Sequence, residues 1–137
     1  MASKTSRPMS FLKGIILIVI VFQLYDAFSP PVISNASIAA APTISVNELV
    51  ANIDLLVDQA LIVEHAKVTR PTFLYFGAFY YLSSLDKNSR ILVLTRKYPP
   101  KEGTIISVAG MVKPIVSINS HTFAYFKQKR IQAETFP

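Results

Sequence analysis

Few side chains in this chain could carry reaction chemistry. It has no cysteine, which removes disulfides, thiolate metal sites, cysteine nucleophiles and an acylated-cysteine anchor. Its two histidines, His65 and His121, stand alone, with no carboxylate pair placed for acid–base work and no glycine loop to cradle a phosphate. No enzymatic reaction, bound metal or cofactor is therefore expected. Binding chemistry is better represented. Arg96-Lys97-Tyr98-Pro99-Pro100-Lys101 sets three cations and one ring on a proline-stiffened tip, so little ordering entropy is lost when it engages a partner. A solvated loop shaped only by turn chemistry is the competing reading. Phe79, Tyr80 and Tyr81 are consecutive, and strand alternation sends Phe79 and Tyr81 to one face and Tyr80 to the other. One set must fill a core, and the other can stack bases or cover a partner. Arg96, Lys97, Tyr98, Lys101, Phe79 and Tyr81 are the partner-binding candidates. Tyr75 and Phe76 suit an apolar loop tip that faces a membrane or a neighbouring subunit.

The elements that would position these residues follow from period and punctuation. Ser45-Val46-Asn47-Glu48 is a capping box, and Val46, Leu49, Val50 and Ile53 follow at helical spacing. One short helix is expected there. Five strand-like pieces come next, at 61–69, 77–85, 90–95, 104–112 and 121–129. Asp86-Lys87-Asn88-Ser89 is a turn by composition, making a hairpin of the second and third pieces. Pro99-Pro100 forbids continued ladder pairing, and Gly110 stands where a bulge or sharp bend would fall. Short strands at this spacing, with no second helical block, predict a closed or nearly closed five-stranded antiparallel barrel. Closure also removes exposed edges from a chain too short for two packed sheets.

The N-terminus has a different composition. Gly14-Ile15-Ile16-Leu17-Ile18-Val19-Ile20-Val21-Phe22 carries no strongly polar side chain. Residues 9–28 would cover roughly 30 Å as a helix, about the thickness of the hydrocarbon layer. A retained single-pass anchor is the leading expectation and a cleaved export signal its rival, with no small-x-small site close behind the apolar run. Lys4, Arg7 and Lys13 before the run, and no basic cluster just after it, predict the N-terminus inside and the domain outside. The expected organisation is an anchor or signal segment over 1–28, a Pro/Ser/Ala linker over 29–43, and one folded domain over 44–137. The chain's 51% apolar and 16% charged residues suit such a domain and exclude disorder. Of its net charge of +6, residues 42–137 hold +4 (11 Lys plus Arg against 7 Asp plus Glu), a surplus that suits a mildly anionic partner, whether lipid headgroups, an acidic protein surface or nucleic acid.

The helix SVNELVAN, the strings LIVEH, GAFYYLSSLD and ISVAGMVKP, and the run ILVLTRKYPPKEGT together resemble a family of small bacterial proteins with a single OB-fold domain, labelled nucleic-acid-binding-like. The likeness runs from about Ile44 to Ile131. His65 stands where the family pattern carries glycine, and Lys67-Val68 is displaced by one residue, which points to a bulge. The resemblance implies an OB barrel and no particular ligand, since that fold serves oligonucleotides, sugars, peptides and proteins. A second, fold-level similarity is to the haem chaperone of cytochrome c maturation. His121 and Tyr125 match its H-x-x-x-Y spacing, which would imply haem attachment at His121 and iron ligation by Tyr125. A strand histidine and a packed tyrosine is the plainer reading.

The fold class expected is thus all-β with one short N-terminal helix, an OB-type barrel preceded by a transmembrane or signal-anchor helix. The function expected is a non-catalytic, membrane-tethered interaction module. It would be an accessory or assembly subunit of an envelope complex, single-pass in the cytoplasmic (inner) membrane with its barrel on the periplasmic side. Single-stranded nucleic-acid binding and haem carriage are the alternatives.

Overall fold

The computed structural model describes residues 2–118 and 121–133, with side chains described for 12–23, 25–115 and 123–132. A long helix, α1 (Ala2–Phe28), leads into a one-turn helix, α2 (Asn35–Ala39), and a two-residue strand, β1 (Thr43–Ile44). The helices α3 (Val46–Ala51) and α4 (Ile53–Leu56) follow. The remaining strands are β2 (Ala60–Leu74), β3 (Gly77–Ser83), β4 (Arg90–Thr95), β5 (Ile105–Ile118) and β6 (His121–Ala133). The strand order is β1-β2-β3-β4-β6-β5, and β5 pairs back onto β2, so the five long strands close into a ring.

The ring is mixed rather than antiparallel as expected. β4 and β6 run parallel, Val93 opposite Phe126 and Leu94 opposite Lys127, whereas the other four long-strand pairings are antiparallel. The reason is parity. Strand direction cannot alternate around a closed ring of odd number, so one seam of a five-stranded barrel has to be parallel. This seam is the parallel closure of the OB-type barrel.

Period-two alternation fills the interior. Ala78, Tyr80 and Leu82 of β3, Ile91 and Val93 of β4, Ile106, Val108 and Val112 of β5 and Phe126 of β6 are all buried. On β2 the inward set is Leu61 and Val63, then Ala66 and Val68. The change from odd to even positions marks an extra residue, and the β2–β5 register shifts between Val63 and Ala66. His65 sits in that bulge at φ 51°. This is left-handed backbone, which glycine adopts without strain, and the extra residue displaces Lys67-Val68 by one position. Each large side chain removed from water contributes about 1.5–3 kcal/mol.

α3 packs against β2 and β4 and adds Val46 and Leu49 to the same core. Its start is the expected cap, with Ser45 Oγ accepting from the Glu48 N–H at 3.2 Å. Asn47 donates to Asp86 at 3.0 Å, tying the helix to the β3–β4 turn. Bonds from the Ser84 hydroxyl, the Asn88 N–H and the Asn47 amide hold the Asp86 carboxyl below the usual carboxylate range.

Two strands are longer than expected because proline does not end them. Pro71 lies within the β2–β3 register shift between Thr69 and Thr72, and Pro114 borders the β5–β6 shift before Val116. At a bulge the missing N–H costs no ladder bond. Gly110 also lies at a shift, between Ala109 and Gly110. A Cβ there would strike the Lys127 carbonyl oxygen and come within 2.7 Å of the Phe126 ring.

The stretch 29–43 is packed on the barrel. Ser34 caps α2, and Ile33 and Ile38 bury against Ala109 beside Ala60, Ile62 and Met111. Further back, Leu12 and every residue from Ile15 to Phe22 are exposed on α1. Among the described residues no helix is long and apolar enough to cross a membrane.

Candidate interaction surface

The six partner-binding candidates divide between one end of the barrel and its outer wall. At the end, the β2–β3 turn presents Tyr75, wholly exposed, and Phe76, while Phe73 precedes them on β2. The β4–β5 loop leaves Thr95, which is paired with Ala78, and so starts beside the same turn. Tyr98 of that loop is 81% exposed and stacks on Phe73, with ring centroids 4.9 Å apart and planes 24° from parallel. Two aromatic side chains thus hold each other in water, a large apolar area at little entropy cost.

The cations of the loop are not equivalent. Arg96 is held by the last turn of α1. Its guanidinium carbon lies 4.0 Å from the Tyr25 ring centroid, and Nη2 donates to Ser29 Oγ at 2.9 Å and to the Tyr25 carbonyl at 3.4 Å. Lys97 and Lys101 are exposed, the first with its backbone N–H bonded to Thr95 Oγ1. Phe28, buried, meets Phe76 edge-to-face at 5.1 Å, and a Cβ on Gly77 would crowd its ring at 2.7 Å. The root of α1 is therefore part of this end. Tyr25, Phe28 and Phe73 were missed by sequence reasoning, the first two because they close the apolar helix and the third because Pro71 hides the continuation of β2. The signal available was the density of rings in Phe73-Leu74-Tyr75-Phe76.

On the wall, Phe79 and Tyr81 are half-buried and point outward, while Tyr80 is wholly inside. Burial pushes the Tyr80 phenol far above its ordinary pKa. It therefore remains a neutral donor and gives a 2.6 Å bond to Gln128 Oε1. Phe79 pairs with Leu94 and Tyr81 with Leu92. Tyr81 also lies under the Arg90 guanidinium, 4.8 Å from its ring centroid. The wall next to this pair is not open. A crevice of about 450 Å³ separates Leu92, Leu94 and Tyr125 from Ile20, Gln23, Asp26 and Ala27 of α1. Asp26 reaches Lys127 at 3.6 Å, and Lys127 is almost wholly buried. Burial, then the Asp26 carboxylate, raises the pKa of the Tyr125 phenol.

His121 and Tyr125 both belong to β6. The His121 side chain lies outside the described residues, and four residues of extended strand set the two Cα atoms about 13 Å apart.

The sequence matches no protein-family model and none of the curated proteins. Among solved structures the chain is similar to a putative aspartyl-tRNA synthetase from Leishmania major Friedlin. The TM-score is 0.54 at 18% identity, over 84% of this chain and 25% of that one. The chain thus spans about a quarter of the synthetase's length. It is also similar to the OBody AM3L09 bound to hen egg-white lysozyme, with TM-score 0.47 and 13% identity over 58% of this chain and 84% of that one. At these identities the first likeness shows the fold alone, an OB-type five-stranded barrel.

Proposed function

We propose that this protein is a non-catalytic interaction module, an OB-type barrel held at a membrane by α1 and serving as an accessory or assembly subunit of an envelope complex. The observation that carries the reading is a coincidence of place. The root of an apolar helix, four exposed rings (Phe73, Tyr75, Phe76 and Tyr98) and the cations Arg96 and Lys97 meet at one end of the barrel, and the loop that carries the two cations continues to Lys101. Leu12 and residues 15–22 stand exposed on every side of α1, an apolar surface that water does not favour and that lipid or a partner helix would cover. Rings and cations beside such a helix suit the headgroup zone, where amphipathic side chains concentrate. Lys4, Arg7 and Lys13 ahead of the apolar run favour an N-terminus on the cytoplasmic side of the inner membrane, with the barrel on the far side.

Fractionation and affinity capture test the two halves separately. The full chain is expected in the membrane pellet after a carbonate wash, and the detergent-solubilised protein is expected to bring down a stoichiometric partner. That partner should be lost with Tyr98→Ala/Lys97→Gln. Recovery in the soluble fraction overturns the tether. A monomer that co-purifies with nothing overturns the subunit role.

A further inference from the structure

A second region, away from the aromatic end, gathers charge in a concave place. Between the middle of β2, the β3–β4 turn and the last residues of the β4–β5 loop lies a crevice of about 640 Å³, within the size range of small-molecule sites. Four cations line it, Lys67, Arg70, Lys87 and Arg90, against one carboxylate, Glu102. Among the described residues no carboxylate forms an ion pair with any of the four. Glu102 is directed to the backbone, accepting from the Arg70 N–H at 3.4 Å.

The fold brings these charges together from three separate stretches of chain. Lys67 lies opposite both Ser83 and Ile105. Arg70 and Lys87 occupy left-handed backbone at φ 51° and 62°, the first next to the β2 register shift and the second in the tight turn. Both departures re-aim a side chain away from the run of its strand or turn. Like charges brought into one crevice repel each other unless a counter-charge sits among them.

We propose that this crevice binds a phosphate-bearing small molecule. Two guanidinium forks and two ammonium groups suit an oxyanion of more than one negative charge. Among the described residues no aromatic side chain lines the crevice, and Tyr81 lies beneath Arg90, so the lining offers no platform on which successive bases could stack. This favours a compact phosphate ester over a nucleic-acid strand. The phosphate could belong to a soluble compound or to a lipid headgroup, and the chemistry at the crevice is the same for both. The proposal stands independently of the membrane reading above.

Calorimetric titration of the full chain in detergent with inorganic tripolyphosphate, at low salt, tests it. The expected result is saturable binding that weakens at least tenfold in Lys87→Gln/Arg90→Gln and is unchanged in Lys129→Gln/Arg130→Gln, which removes the same charge from β6. Thermal melting shows whether each variant is folded. Flotation with phosphatidylglycerol vesicles, compared with phosphatidylcholine, separates the sources. If only vesicle binding responds to Lys87→Gln/Arg90→Gln, the phosphate is a headgroup; if tripolyphosphate binding responds, it is soluble. No binding in either arm overturns the proposal, as does equal loss in both double variants. Tighter binding of a single-stranded oligonucleotide at the same crevice also overturns it.

Discussion

The barrel wall and α1 are built from the same apolar residue types and meet opposite fates. Along β3 and β4 every second side chain is sealed from water, whereas on α1 consecutive isoleucines, valines and leucines all remain exposed. The difference is period. Alternation lets a curled sheet bury one face against itself. An unbroken apolar run wound at 3.6 residues per turn puts apolar side chains on every side of the helix, so no single packing partner within the chain can cover them. The first region closes its own account of burial, and the second stays open to something outside the chain.

Substitutions can sharpen this contrast, beginning where the barrel has least slack. Gly110→Ala drives a methyl into the Lys127 carbonyl and is expected to cost about 3 kcal/mol, read as a lower urea midpoint at unchanged slope. Tyr80→Phe keeps the ring but leaves Gln128 Oε1 buried without its 2.6 Å partner; the expected loss is about 1–3 kcal/mol in the same measurement. His65→Gly should act in the other direction. Relief of left-handed backbone at φ 51° is expected to stabilise the barrel by about 1 kcal/mol, visible as a higher melting temperature. Ile16→Lys/Val19→Lys gives the smallest effect on folding, within about 0.5 kcal/mol, while reducing recovery in the membrane pellet. A large fall in barrel stability from that last pair would erase the distinction between the two regions.

What could be read ahead of the structure was what depends on near neighbours. β4 lies where the short apolar run between Arg90 and Thr95 places it. The Ser45 cap is formed, Tyr80 points inward with Phe79 and Tyr81 outward, and Gly110 marks a bulge. Each of these is set by period or turn chemistry within a few residues. The parallel seam between Val93 and Phe126 was not visible, because it follows from how many strands close and not from any local pattern. Pro71 and Pro114 concealed the full lengths of β2 and β5, since a proline at a bulge reads like a proline in a loop. The candidate surfaces were legible in part. The Arg96–Lys101 segment announced itself by composition, but its stacking partner Phe73 and the hold of Tyr25 on Arg96 come from distant stretches of chain. So do the four cations of the crevice, no two of which are adjacent in sequence.

The way α1 meets the barrel has a mechanical consequence. A proline-rich leash would let the globular part wander and point in any direction. Here Phe28 is wedged against Phe76 and the backbone of Gly77, Arg96 grips Tyr25 and Ser29, and the chain after them runs back along the wall with Ile33 and Ile38 tucked in. Helix and barrel are joined as a bracket joins a shelf to its post. A torque applied to either is passed to the other, and the direction in which the barrel's aromatic end faces is set by the helix's own orientation.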